Sequence, residues 1–186
     1  MPTLTTELEA VNTMLGHLGE APINTISNTA ALPVAAATAV SVLAEVSREV
    51  QSEGWYFNTE HNVTLSPDSN SNINLDSDVV EADVVDSTLD IAQRGYKLFD
   101  RKNNTLTFTK DVKVTLTRLL VWDDLPEPAR RYITLRSARI FQGRLLGSRE
   151  LEALIARDEY IAKSRLEEFD ANTSDRTIFD NMDTAV

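Results

Sequence analysis

Hydrophobic positions along the chain change their period twice. From residue 6 to 18, Leu8, Val11, Leu15 and Leu18 recur at helical steps with Met14 beside them, which predicts an amphipathic helix. Thr6 and Glu9 stand at capping-box spacing at its start, and Gly19 and Pro22 follow its end. A second helix is predicted over 33–53, with Pro33 in its first turn and Ala36, Val40, Leu43, Val46 and Val50 on one face. The small residues of "PVAAATAV" let another helix approach closely, and Gly54 is the expected stop.

From about 59 to 121 the period becomes two. Val63 and Leu65 alternate with polar residues, as do Ile73 and Leu75, Tyr96 and Leu98, Leu106 and Phe108, and Val112, Val114 and Leu116. "DRKNNT" and "TKD" read as hairpin turns, which predicts an antiparallel meander over 95–121. "SPDSNSNINLDSD" reads as a long exposed loop, and 79–92 fits either a strand or a short helix.

Helical spacing then returns. Pro126 and Pro128 open a third helix over 126–146, in which Tyr132, Ile133, Leu135, Ile140, Phe141, Leu145 and Leu146 cover more than one face. Gly147 ends it and Ser148 caps a fourth helix to about 169, with Leu151, Leu154, Ile155 and Ile161 expected inward. The expected organisation is helices one and two over 1–58, a β subdomain over 59–123, helices three and four over 124–169, and an acidic flexible tail over 170–186. The fold class this implies is α+β, a four-helix bundle with an inserted antiparallel β subdomain.

Charge narrows the function classes. With 29 acids against 18 bases, the net charge is −11. Such a balance argues against a sequence-reading nucleic-acid binder, which needs clustered cations for phosphates, but suits a surface that DNA passes without being gripped. The chain has no cysteine, so a disulfide framework and a thiolate metal site are excluded. No signal peptide and no membrane-spanning stretch is expected, and the protein reads as soluble.

Candidate chemistry is sparse. Glycine-rich phosphate loops and a nucleophile elbow are missing, and His17 and His61 lack ligand spacing. "VWDDLPE" places Asp123 and Asp124 beside Trp122, which could supply a glycosidase acid pair; the plainer reading is acids near a helix N-terminus. Asp76, Asp78 and Asp68 could suggest calcium, but the EF-hand pattern is incomplete. Arg130, Arg131, Arg136, Arg139 and Arg144 on the third helix could meet acidic surfaces of neighbouring subunits, pair within the chain, or contact DNA; the first is the leading expectation. In "QSEGWYFNTE", Gly54 turns the chain out of helix two and an extended backbone points Trp55 and Phe57 the same way, as a joint between bundle and β subdomain; a partner-binding hot spot is the other reading.

Several stretches together are familiar: "ELEAVNTMLGHLGEAPINTI", "VSREVQSEGWYFN", "RGYKLFDRKNNTLTF" and "WDDLPEPARRYITLRSARIFQGRLLGSRELE", in that order. The chain resembles the tail tubular protein A family of T7-like podoviruses over residues 4 to 169, with the loop at 66–92 and the acidic tail matching least well. The resemblance implies a non-enzymatic virion protein without cofactors, a head-to-tail adaptor forming a dodecameric ring in the phage tail. Its implied partners are the portal protein, the tail nozzle protein (tail tubular protein B) and tail fibres, with DNA passing through the channel without sequence-specific binding and no membrane contact. Assembly would take place in the host cytoplasm. The tail, with Phe179 and Met182, is expected to dock to the portal. The alternative from another class is a tail-associated polysaccharide or cell-wall hydrolase built on Asp123 and Asp124.

Overall fold

A computed structural model describes residues 3–86 and 88–174. The protein is mixed helix and antiparallel sheet, with helices α1 (Glu7–His17), α2 (Val34–Gln51), α3 (Glu127–Leu145) and α4 (Arg149–Thr173) and strands β1 (Thr59–Leu65), β2 (Val79–Val84), β3 (Ile91–Arg94), β4 (Lys97–Asp100) and β5 (Val112–Arg118). It divides into two compact units, one of residues 1–50 and 121–186, the other of residues 51–120.

The first unit holds the helices. The Thr6 hydroxyl accepts from the Glu9 amide while the Glu9 carboxylate accepts from the Thr6 amide, so the capping box forms as the spacing predicts. Gly147 has a left-handed backbone and donates to the Gln142 carbonyl, ending α3. α3 packs against both α1 and α4 and buries Ala129, Tyr132, Ile133, Leu135, Ala138 and Phe141. That accounts for its apolar residues on more than one face.

α4 departs from its expected face. Ile155, Glu159, Ala162 and Leu166 are buried, while Leu154 and Ile161 are exposed. Ile155 points inward as expected, but counting apolar residues alone misplaces Leu154 and Ile161, because the inward stripe contains a glutamate that meets arginines of α3. α4 also continues to Thr173, beyond the expected end at 169.

The second unit holds the strands. β5 lies between β1 and β2, antiparallel to both, and β3 pairs with β4 in a separate hairpin. A consecutive meander is therefore not formed. The last strand inserts between the first two, and Ile73–Leu75 and Leu106–Phe108 contribute isolated bridges and core side chains rather than strands. The core gathers Ile73, Leu75, Val79, Leu98, Phe108, Val112, Val114 and Leu116. Within residues 79–92, open between strand and helix in the sequence, β2 takes Val79–Val84 and β3 begins at Ile91. Gly95, at φ +61°, takes the first position of the two-residue β3–β4 turn, as a II′ hairpin requires.

The polar loop before β2 is braced by the Asp68 side chain together with backbone hydrogen bonds such as Phe108 amide to Ser71 carbonyl and Leu98 amide to Ile73 carbonyl. The Asp68 carboxylate accepts from the amides of Asn70 and Asn72 and from the Asn74 side chain. This lets Ile73 and Leu75 turn into the core.

Residues 56–58 form a 3-10 turn, not the extended run expected after Gly54. The reason is Asn58. Its side-chain oxygen accepts from the Trp55 amide, and its side-chain nitrogen donates to the carbonyls of Gln51 and Arg118. Period-two alternation therefore does not govern Trp55 and Phe57; Trp55 is buried, Tyr56 exposed and Phe57 half-buried. Phe179 and Met182, the candidate docking residues of the tail, lie outside the described residues.

Candidate functional site

The five arginines of α3 fall into three groups. Arg130 is turned inward and only 3% exposed. Its guanidinium donates to the carbonyls of Leu125 (2.8 Å), Thr5 (2.9 Å) and Asp123 (2.6 Å). Around it a clasp closes on the segment before α1: Trp122 Nε1 donates to the Thr5 carbonyl, and the Glu127 carboxylate accepts from both the Thr5 amide and hydroxyl. A planar five-donor cation suits this role, because it can meet several carbonyls at once.

Arg136, Arg139 and Arg144 pair within the chain. Arg144 makes a two-pronged contact with Glu45 of α2 at 2.8 Å for each bond. Arg136 donates to Glu49 of α2 and lies 3.5 Å from Glu159 of α4. Arg139 is held by Glu159 and lies 3.9 Å from Glu152. The Glu159 contact holds the Arg139 guanidinium above its ordinary pKa. For Arg136, burial is the largest influence and pulls down, but Glu49 and Tyr132 outweigh it. These pairs tie α2, α3 and α4 together. Arg131 is exposed and, unlike the exposed Arg144, has no ion pair among the described residues.

A second hub lies in the sheet unit. Arg118 Nε meets Glu60 at 3.0 Å, and its Nη1 meets Asp76 at 3.1 Å and Asp78 at 3.0 Å. Burial opposes its charge, but the three carboxylates win and raise its pKa. Asp76 and Asp78, considered for calcium, are thus turned onto a cation, and the Asp68 carboxylate is held below its usual range first by the Asn72 amide and then by Asn74. Among the described residues no three His, Cys, Asp or Glu side chains gather as a metal site.

The other singled-out residues are dispersed. His17 is half-buried; burial lowers its pKa, Asp158 opposing and Arg131 reinforcing. His61 is exposed, 3.4 Å from the Thr115 hydroxyl. Asp123 and Asp124 sit in a 3-10 turn, both exposed; the Asp123 carbonyl accepts from Arg130 and the Asp124 amide donates to the Val121 carbonyl. Gly54 has φ +74° and an added Cβ would meet the Thr117 hydroxyl at an ordinary 3.5 Å, so glycine is required by the backbone angle rather than by space.

Sequence reasoning missed Asn58, Gln51, Arg118, Glu159 and the Thr5–Glu127 pair as organising residues. Gln51 exchanges two hydrogen bonds with the backbone of Leu120. The one local signal was a polar residue falling where the period calls for an apolar one, as Glu159 does between Ile155 and Ala162.

In each unit, charged and amide side chains hold elements of the same chain in fixed register. The chain belongs to the tail tubular protein family, whose sequence profile matches residues 8–176. It is therefore a structural protein of the phage tail, a virion component. A search of curated proteins returns no match.

Proposed function

We propose that the chain is the head-to-tail adaptor of a short-tailed phage, forming a dodecameric ring that joins the portal to the tail nozzle and lines part of the DNA ejection channel. The supporting observation is the family match over residues 8–176, which takes in both folded units. Helices α1–α4 make up the bundle of this proposal and the sheet unit its inserted subdomain. The net charge of −11 favours a channel that DNA slides past rather than binds. Portal, nozzle protein and fibres are the partners, and the ring assembles in the host cytoplasm.

Within this reading, Gly54, Trp55 and Phe57 keep the joint role that the sequence suggests; all three belong to the second unit. The subunit-interface role moves from the five arginines to Arg131, because Arg130 is buried and the other three are paired within the chain. Phe179 and Met182 keep their portal-docking role on the sequence alone.

The test is genetic. A phage carrying a nonsense codon in this gene should yield DNA-packaged heads without tails, and the protein supplied in trans should restore complete particles. Complete, infectious tails in its absence would reject the adaptor reading.

A further inference from the structure

α4 carries two apolar stripes. One is buried, and the other, Leu154 (66% exposed) and Ile161 (40% exposed), is bare. Beside Ile161 lies a cleft of about 250 Å³, lined by Arg131 and Leu135 of α3 and by Asp158, Ile161, Ala162 and Arg165 of α4. Its floor is apolar, since Leu135 and Ala162 are buried. Arg131 and Arg165 stand exposed at its rim with no ion pair among the described residues, and Asp158 is the one acid among the lining residues. In a chain with an excess of acids, the lining of this cleft carries two cations against one acid.

The same unit carries the complementary surface. In the 3-10 turn of "VWDD", Asp123 and Asp124 are exposed and their carboxylates have no partner among the described residues. Bare apolar groups flank them: Val121 is 67% exposed, and Leu4 is 50% exposed next to Thr5, whose carbonyl holds Trp122. The turn is held from beneath by Arg130 through the Asp123 carbonyl. The patch stays net negative, because the buried Arg130 charge is matched by Glu127. A pre-organised projection loses little conformational freedom on docking.

We propose that the acidic turn at Val121–Asp124 of one copy docks in the Arg131–Arg165 cleft of a second copy. This rests on the adaptor reading and names one contact of its ring. Two different surfaces of one chain that fit each other make a heterologous contact, the kind that generates rings. Chains of net charge −11 repel one another. A local meeting of opposite charges offsets that repulsion, and the arginines at this cleft can provide it.

The test is charge exchange, read by sedimentation velocity at about 0.1 M salt, where the Debye length is about 10 Å and long-range repulsion is damped. The unaltered chain should self-associate with rising concentration. R131E/R165E and D123K/D124K should each associate at least about tenfold more weakly. Both should keep the parent's melting temperature within a few degrees, since all four positions are exposed. An equimolar mixture of the two variants should regain association, because the reversed cleft of one accepts the reversed turn of the other. An unaltered chain that stays monomeric at its highest soluble concentration, variants that associate like the parent, or a mixture that stays as weak as its components would each overturn the contact. Portal binding measured in parallel separates the two ideas: if it persists while the charge exchange fails, the adaptor reading stands and this contact falls.

Discussion

At the scale of single residues, Arg130 is the side chain whose loss should be felt most. Alanine there strands the carbonyls of Asp123 and Leu125 around a void and leaves that of Thr5 to Trp122 alone. The expected cost is about 2–4 kcal/mol, given the worth of charge-assisted bonds and the penalty of buried unmet acceptors. Denaturant unfolding would measure it. Arg130→Lys should recover little, since an ammonium cannot reproduce the fork; full recovery by lysine would mean that charge alone matters. His17 gives a pH signature. Its ordinary pKa of 6.5 is lowered, chiefly by burial. A group held neutral in the fold contributes stability above its ordinary pKa and loses it as pH falls toward the lowered folded value. The melting temperature should therefore drop as pH falls below the ordinary histidine value of 6.5, and His17→Gln should flatten that drop. Glu45, Asp68 and Asp100 are also held low, by Arg144, the Asn72 amide and the Asn103 amide respectively. Their contribution is lost only in more acidic solution, so the two windows separate. An unchanged pH profile in His17→Gln would contradict the assignment.

At the scale of elements, α3 is tied to its neighbours by ion pairs of unequal weight. Glu159 is buried between Arg136 and Arg139, whereas the Glu45–Arg144 pair is about half exposed. Glu159→Ala should cost about 2–3 kcal/mol, reduced from the fully buried case because both arginines reach water. Arg144→Ala should change stability only slightly despite its two short bonds. Thermal unfolding of both variants would decide, and equal losses would contradict the ranking. The same helices show how far the sequence could be read. Helix existence, the Thr6–Glu9 cap and the Gly147 stop are local chemistry, so periodicity and capping rules found them. The inward face of α4 was not legible, because its centre is a glutamate whose partners lie twenty and more residues away. Strand order was equally hidden. Alternation marks β5 as half-buried but does not say that it enters between β1 and β2. Among the candidate site residues, the sequence marked the α3 arginines as unusual but not which acids claim them. Asn58, which closes the turn after Trp55, looked like an ordinary loop residue.

At the scale of the whole molecule, the polar side chains are spent inward, on Thr5, on the α2–α3–α4 pairs and on Arg118 with its three acids. What is left outside is a strongly acidic surface and a few bare apolar groups, with Arg131 and Arg165 among the exposed cations that have no ion pair among the described residues. A tail component has to hold its shape and meet other proteins, and this distribution serves both. The central claim, that the protein docks to the portal, is tested most directly by light-scattering mass after size exclusion, for the chain alone and mixed with the portal of its phage. The account predicts a complex with one chain for each portal subunit. Two species eluting separately at their own masses, with the portal intact and both proteins folded, would contradict it.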